Sequence, residues 1–153
     1  MSSTYTITRD IDVVASPADI HPYLTDFRQW VRWSPWENVD PDLQREYSGA
    51  DGGVGAEYAW TGNKKAGAGS MTITGDTPNR VEVRLVFSRP MKATNDVVFT
   101  LDSSGNTTKV TWSMTGAHTL FSRVGTALGF FDKVLGKDFD KGLTALKSVA
   151  ESA

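Results

Sequence analysis

A chain of 153 residues is of single-domain length and can bury roughly 70% of the surface its unfolded form exposes, so a sizeable core is available. A formal net charge of -2 leaves no basic footprint for nucleic acid, and the absence of cysteine removes disulfides, thiolate nucleophiles and Cys-based zinc sites. The opening MSSTYTITRD lacks the apolar run of a signal peptide, and no stretch approaches the length needed to cross a bilayer, which gives the expectation of a cytoplasmic protein without stable membrane insertion.

YTITRDIDVV alternates, with Tyr5, Ile7, Ile11 and Val13 on one face, as a half-buried first strand does. Ser16 then caps a helix that has Pro17 in its first position and Ile20, Leu24 and Phe27 at helical spacing; His21-Pro22 makes that helix short or broken. WVRWSPW follows, placing three of the five tryptophans, Trp30, Trp33 and Trp36, within seven residues, and Ser34-Pro35 biases the chain out of helix. Trp30 is expected to anchor the preceding short helix, and Trp33 and Trp36 to line or cover an opening; for Trp36 core and pocket are equal readings.

After Pro41 the period shortens to two. LQREYSG presents Leu43, Arg45 and Tyr47 on one face; VGAEYAW presents Val54, Ala56, Tyr58 and Trp60; GSMTITG presents Met71 and Ile73. VEVRLVF adds Val81, Val83, Leu85 and Phe87, ATNDVVFTL adds Asn95, Val97, Phe99 and Leu101, and KVTWSMTG adds Val110, Trp112 and Met114. Short turns such as GDTPN and DSSGN favour an antiparallel meander. In the last third, Phe131, Leu135, Phe139, Leu143 and Leu146 recur at helical spacing, giving a long amphipathic helix whose apolar stripe needs the inner face of the sheet; Gly136 and Gly142 within it read as close-packing or bend positions.

This order of elements, together with WSPW, YSGADGGVGAEYAWTGN, GAGSMTI and GKDFDKGLTALK, resembles the SRPBCC superfamily of START-like, helix-grip proteins, and within it the bacterial polyketide cyclase/dehydrase-like branch. The resemblance implies an α+β fold in one domain spanning residues 4 to 151: a seven-stranded curved antiparallel sheet around a long C-terminal helix, with two short helices after the first strand. It also implies a cavity between sheet and helix for a hydrophobic or amphipathic, lipid-like or polyketide-like molecule. The alternative is a cyclase or dehydratase acting on a polyketide-like or aromatic substrate in the same cavity. No cofactor, metal or nucleic-acid partner is expected, and oligomeric state stays open.

The candidate ligand-binding residues are Trp33, Trp36, Arg45, Tyr58, Trp60, Met71, Phe87, Asn95, Phe99, Trp112 and Met114, because apolar pockets carry a few placed polar groups among aromatic and aliphatic walls. Each inward aromatic taken alone reads as core; only their joint occurrence in a cavity-forming fold favours a pocket. Arg45 and Asn95 interrupt apolar faces and need partners if buried. For Arg45 these are a ligand carboxylate or carbonyl, Glu57, or solvent at the strand end; for Asn95, a ligand, or a bulge that turns it outward. Catalytic constellations are thin. The two histidines, His21 and His118, lack metal-ligand spacing, GAGSMT leads into a strand and so is no phosphate loop, and Asp138 and Asp140 diverge around a helix. The catalytic residues are unknown from sequence, with Glu57, Tyr58 and His118 the remaining acid-base candidates.

Overall fold

The computed structural model describes residues 4–35, 40–63, 67–89, 92–117 and 127–152. Trp36 and His118 lie outside the described residues, as do the side chains of Tyr5, Phe131 and Leu135.

Strand β1 (Thr4–Val13) leads into helix α1 (Pro17–Thr25) and a 3₁₀ segment (Phe27–Arg32); β2 (Gln44–Gly49), β3 (Ala56–Thr61), β4 (Ala68–Thr77), β5 (Arg80–Arg89), β6 (Ala93–Ser104) and β7 (Thr107–Ala117) follow, and helix α2 (Ala127–Ser152) comes last. The strands form one antiparallel sheet in the order β1-β7-β6-β5-β4-β3-β2, so the chain closes its meander by laying β7 back along β1. This is the expected α+β helix-grip architecture. Ser16 caps α1 by accepting the Asp19 amide at 3.2 Å, with Pro17 behind it where a missing N–H costs nothing. Pro22 does not break the helix, which continues to Thr25.

One strand boundary differs from expectation. Val54 is 59% exposed in a turn, and β3 begins at Ala56, because Gly53 and Gly55 adopt positive φ and turn the chain before pairing starts. Within GAGSMT the β4–β5 register shifts between Ala68 and Gly69, the irregularity of a bulge at a glycine.

Register arranges the inner-face side chains in rows across the sheet. Arg9, Trp112, Phe99 and Val81 form one row; Ile7, Met114, Val97, Val83 and Ile73 form the next. Then come Asn95, Leu85, Met71, Tyr58 and Tyr47, and finally Phe87, Gly69, Trp60 and Arg45. Helix α2 crosses this face. Its Phe139 ring stacks on Trp112 at 4.1 Å with the planes 1° apart, and Phe139, Leu143, Leu146 and Ala150 are buried. Beyond them Glu151 accepts the Val14 amide at 2.7 Å, which fixes the end of the helix beside the end of β1.

Candidate ligand-binding site

The two ends of the inner face are built differently. At the end covered by α1 and the 3₁₀ segment, Trp30 donates its indole N–H to the Leu24 carbonyl at 3.1 Å and Trp33 donates to the Tyr23 carbonyl at 2.9 Å. Trp33 stands edge-on to Phe99 and Trp112, with centroids 5.9 and 5.5 Å apart, and its exposure is only 2%. Trp33 therefore plugs the packed end and does not sit at a wet rim. Pro35, from the same Trp-rich stretch, occupies the space that Gly142 leaves open on α2. Phe99, Trp112 and Met114, expected among the ligand contacts, are also buried in this packed half, with Phe99 and Trp112 in ring contact 5.3 Å apart.

Toward the other end the packing loosens. Tyr58, Met71 and Asn95 are buried, whereas Tyr47, Leu85, Trp60 and Phe87, on the same face and in the two outermost rows, remain half-buried. Tyr58 and Trp60 stack at 6.1 Å, Phe87 meets Trp60 edge-on at 5.7 Å, and Tyr47 lies 5.3 Å from Tyr58. Trp60 lies across the sheet because Gly69 has no side chain: a Cβ there would come within 2.6 Å of the indole. Tyr47 and Leu85 thus join this set. Their place was readable from the period-two pattern, which put both on the inner face.

Asn95 is 2% exposed and pairs in unbroken register with Leu85 and Gly116, so it points inward and the outward bulge does not occur. It sets an amide, able both to donate and to accept, on the floor beside the aromatic rows. Arg45 shares the face of Trp60, its cross-strand partner, but is exposed near the start of β2. Glu57 is not across from it: Glu57 pairs with Ser48 and Thr72, on the outer face, and is exposed. That placement also takes Glu57 off the inner face as an acid or base.

His21, half-buried on α1, has its Nε2 2.6 Å from Asp76 Oδ1 and 3.1 Å from the Thr77 carbonyl. The pair joins α1 to the tip of β4, on the packed side of the molecule. No sequence signal connects residues so far apart in the chain; the β4–β5 hairpin brings them together. Among the described residues no group of three or more His, Cys, Asp or Glu could hold a metal ion.

The family model described as polyketide cyclase / dehydrase and lipid transport matches residues 4–151. The chain belongs to this family. Its members' helix-grip architecture recurs in solved structures at low identity. CV1439 from Chromobacterium violaceum has a TM-score of 0.66 at 12% identity, over 95% of this chain and 96% of that one. Mll3558 from Rhizobium loti gives 0.65 at 18%, over 95% and 99%. Ara h 8.0201 gives 0.64 at 15%, over 99% and 100%. No curated protein matches the sequence. The polyketide cyclase / dehydrase and lipid transport family supplies a fold that binds hydrophobic ligands, and among the described residues no helix is long and apolar enough to cross a membrane.

Proposed function

We propose that this family member binds a hydrophobic or amphipathic small molecule at the loosely packed end of its inner face, against Tyr47, Tyr58, Trp60, Met71, Leu85 and Phe87, with Asn95 as the polar contact. One observation supports the reading: on a single continuous inner face, the rings near α1 are fully buried, whereas Tyr47, Trp60, Leu85 and Phe87 are half-buried around the buried Asn95 amide. Apolar walls with one or two placed polar groups suit a ligand that is mostly hydrocarbon or ring and carries a carbonyl or hydroxyl.

Titration with an environment-sensitive probe such as anilinonaphthalene sulfonate, followed by competition with long-chain alcohols and aromatic ketones, tests this. Saturable binding is expected, with energy transfer from Trp60 to the probe that falls in Trp60→Phe. Asn95→Leu should weaken oxygen-bearing competitors about tenfold and leave pure hydrocarbons unaffected, the loss of roughly one buried hydrogen bond. Absence of saturable binding by every such probe would sink the proposal.

A further inference from the structure

We infer that the ligand carries a carboxylate and that Arg28 reads it, a specificity determinant that rests on the hydrophobic-ligand reading above and narrows it to amphipathic acids. Arg28, near the start of the 3₁₀ segment, is exposed, and its guanidinium lies over the Tyr47 ring, 4.8 Å from the centroid. The neighbouring Phe27 ring is 5.9 Å from that of Tyr58. The start of the 3₁₀ segment therefore borders the half-buried aromatic rows, and Arg28 stands over their margin on β2.

Two features make this cation available to a ligand. A guanidinium held over a ring is attracted through its face, so its planar fork of N–H donors stays open to a carboxylate in a bidentate pair. Among the described residues no carboxylate pairs with it: Asp26, close by in sequence, is turned to the Arg28 backbone amide, which it accepts at 3.0 Å. Strand register also keeps acids off this surface. The inner-face rows that run through Tyr47 and through Trp60 contain no carboxylate, whereas Glu46 and Glu57 point to the opposite face of the sheet. Asn95 marks the far end of the Tyr47 row, four strand steps away, a span of at most about 19 Å at ordinary strand spacing. The chemistry that fits both ends is an apolar body, alkyl or aromatic, with a carboxylate at Arg28 and a hydroxyl or carbonyl toward Asn95.

Calorimetric titration with matched pairs tests this: decanoate against decanol, and cinnamate against cinnamyl alcohol, at neutral pH and low salt. In the pair whose apolar body fits better, the acid should bind about tenfold tighter than the alcohol, the effect of one charge-assisted pair. That margin should shrink as salt screens the exposed charge. Arg28→Gln should weaken the acid about tenfold and leave the alcohol as it was. Arg28→Lys, which keeps the charge and loses the fork, should recover part of the preference, and it carries the test if Arg28→Gln disturbs folding and loses the alcohol as well. Arg32→Gln is the control, because that exposed arginine of the same segment lies over the buried Tyr23 of α1, and its loss should move neither affinity. An acid that binds no tighter than its alcohol, a preference that survives Arg28→Gln, or an equal fall in Arg32→Gln would overturn the inference, while alcohol binding keeps the hydrophobic-ligand reading. Absence of binding by both pairs would remove that reading and this inference with it.

Discussion

Gly142 and Gly136 look alike in the sequence, both glycines within a long amphipathic helix, but they face different neighbours. A Cβ at Gly142 would sit 2.9 Å from Pro35 Cδ and from Trp112 Cζ3, two rings held by the surrounding core. Gly142→Ala should therefore destabilise by about 1–3 kcal/mol in urea unfolding, even though alanine favours helix by about 1 kcal/mol. The three atoms nearest a Cβ at Gly136 all belong to the guanidinium of Arg9, the far end of a flexible side chain. Gly136→Ala should come out neutral or stabilising. Phe139 is 1% exposed and stacked on Trp112, so Phe139→Ala should cost about 3–5 kcal/mol. Trp112→Phe, at the same contact, should lower stability and leave probe affinity unchanged, because Trp112 lies in the packed half of the inner face. A probe affinity that fell with Trp112→Phe would move the binding site toward α1.

At the scale of elements, α2 is secured at its C-terminal end by polar contacts as well as by its stripe. The Lys147 ammonium, hydrogen-bonded to Glu151, holds the Glu151 carboxyl below its usual range, and the Val14 amide adds to this. A carboxyl depressed in the folded state stabilises while ionised, at pH above the unfolded carboxylate range, and the contribution is lost as pH falls through the folded value. Glu151→Gln should thus be less stable than the parent at neutral pH and indistinguishable from it in acid. Asp138, on the same helix, is the reverse case. Burial raises its carboxyl and Lys141 only partly offsets that, so the ionised form opposes folding at neutral pH. Asp138→Asn should accordingly be neutral or stabilising at pH 7, with any gain in thermal midpoint fading as pH falls through the raised folded value and absent below the unfolded carboxylate range.

For the molecule as a whole, the asymmetry between a sealed and a loose end of one sheet face links packing to function. Filling the loose end should compete with ligand while adding buried area. Leu85→Phe is expected to weaken probe binding severalfold without loss of folding stability, measured by titration and urea unfolding on the same preparation. If Leu85→Phe instead destabilises by more than about 1–3 kcal/mol, that end is already filled to core density and overpacking is the cause.

The order and period of the elements, the inner face of each strand, and the long C-terminal helix with Phe139 and Leu143 turned inward are legible in the amino-acid sequence. These are local properties, set by alternation, by helical spacing and by caps such as Ser16-Pro17, each readable within a few residues. Which inner-face residues are solid core follows from packing between distant elements. Trp33, Trp112 and Phe99 carry the same local pattern as Trp60 and Phe87, yet the 3₁₀ segment and Phe139 cover the first group and not the second. The same holds for Arg45 and Glu57, which only strand register places on opposite faces, and for His21 and Asp76, which only the β4–β5 hairpin brings together. Exposure and pairing at these positions depend on chain that is distant in sequence, and local periodicity carries no record of it.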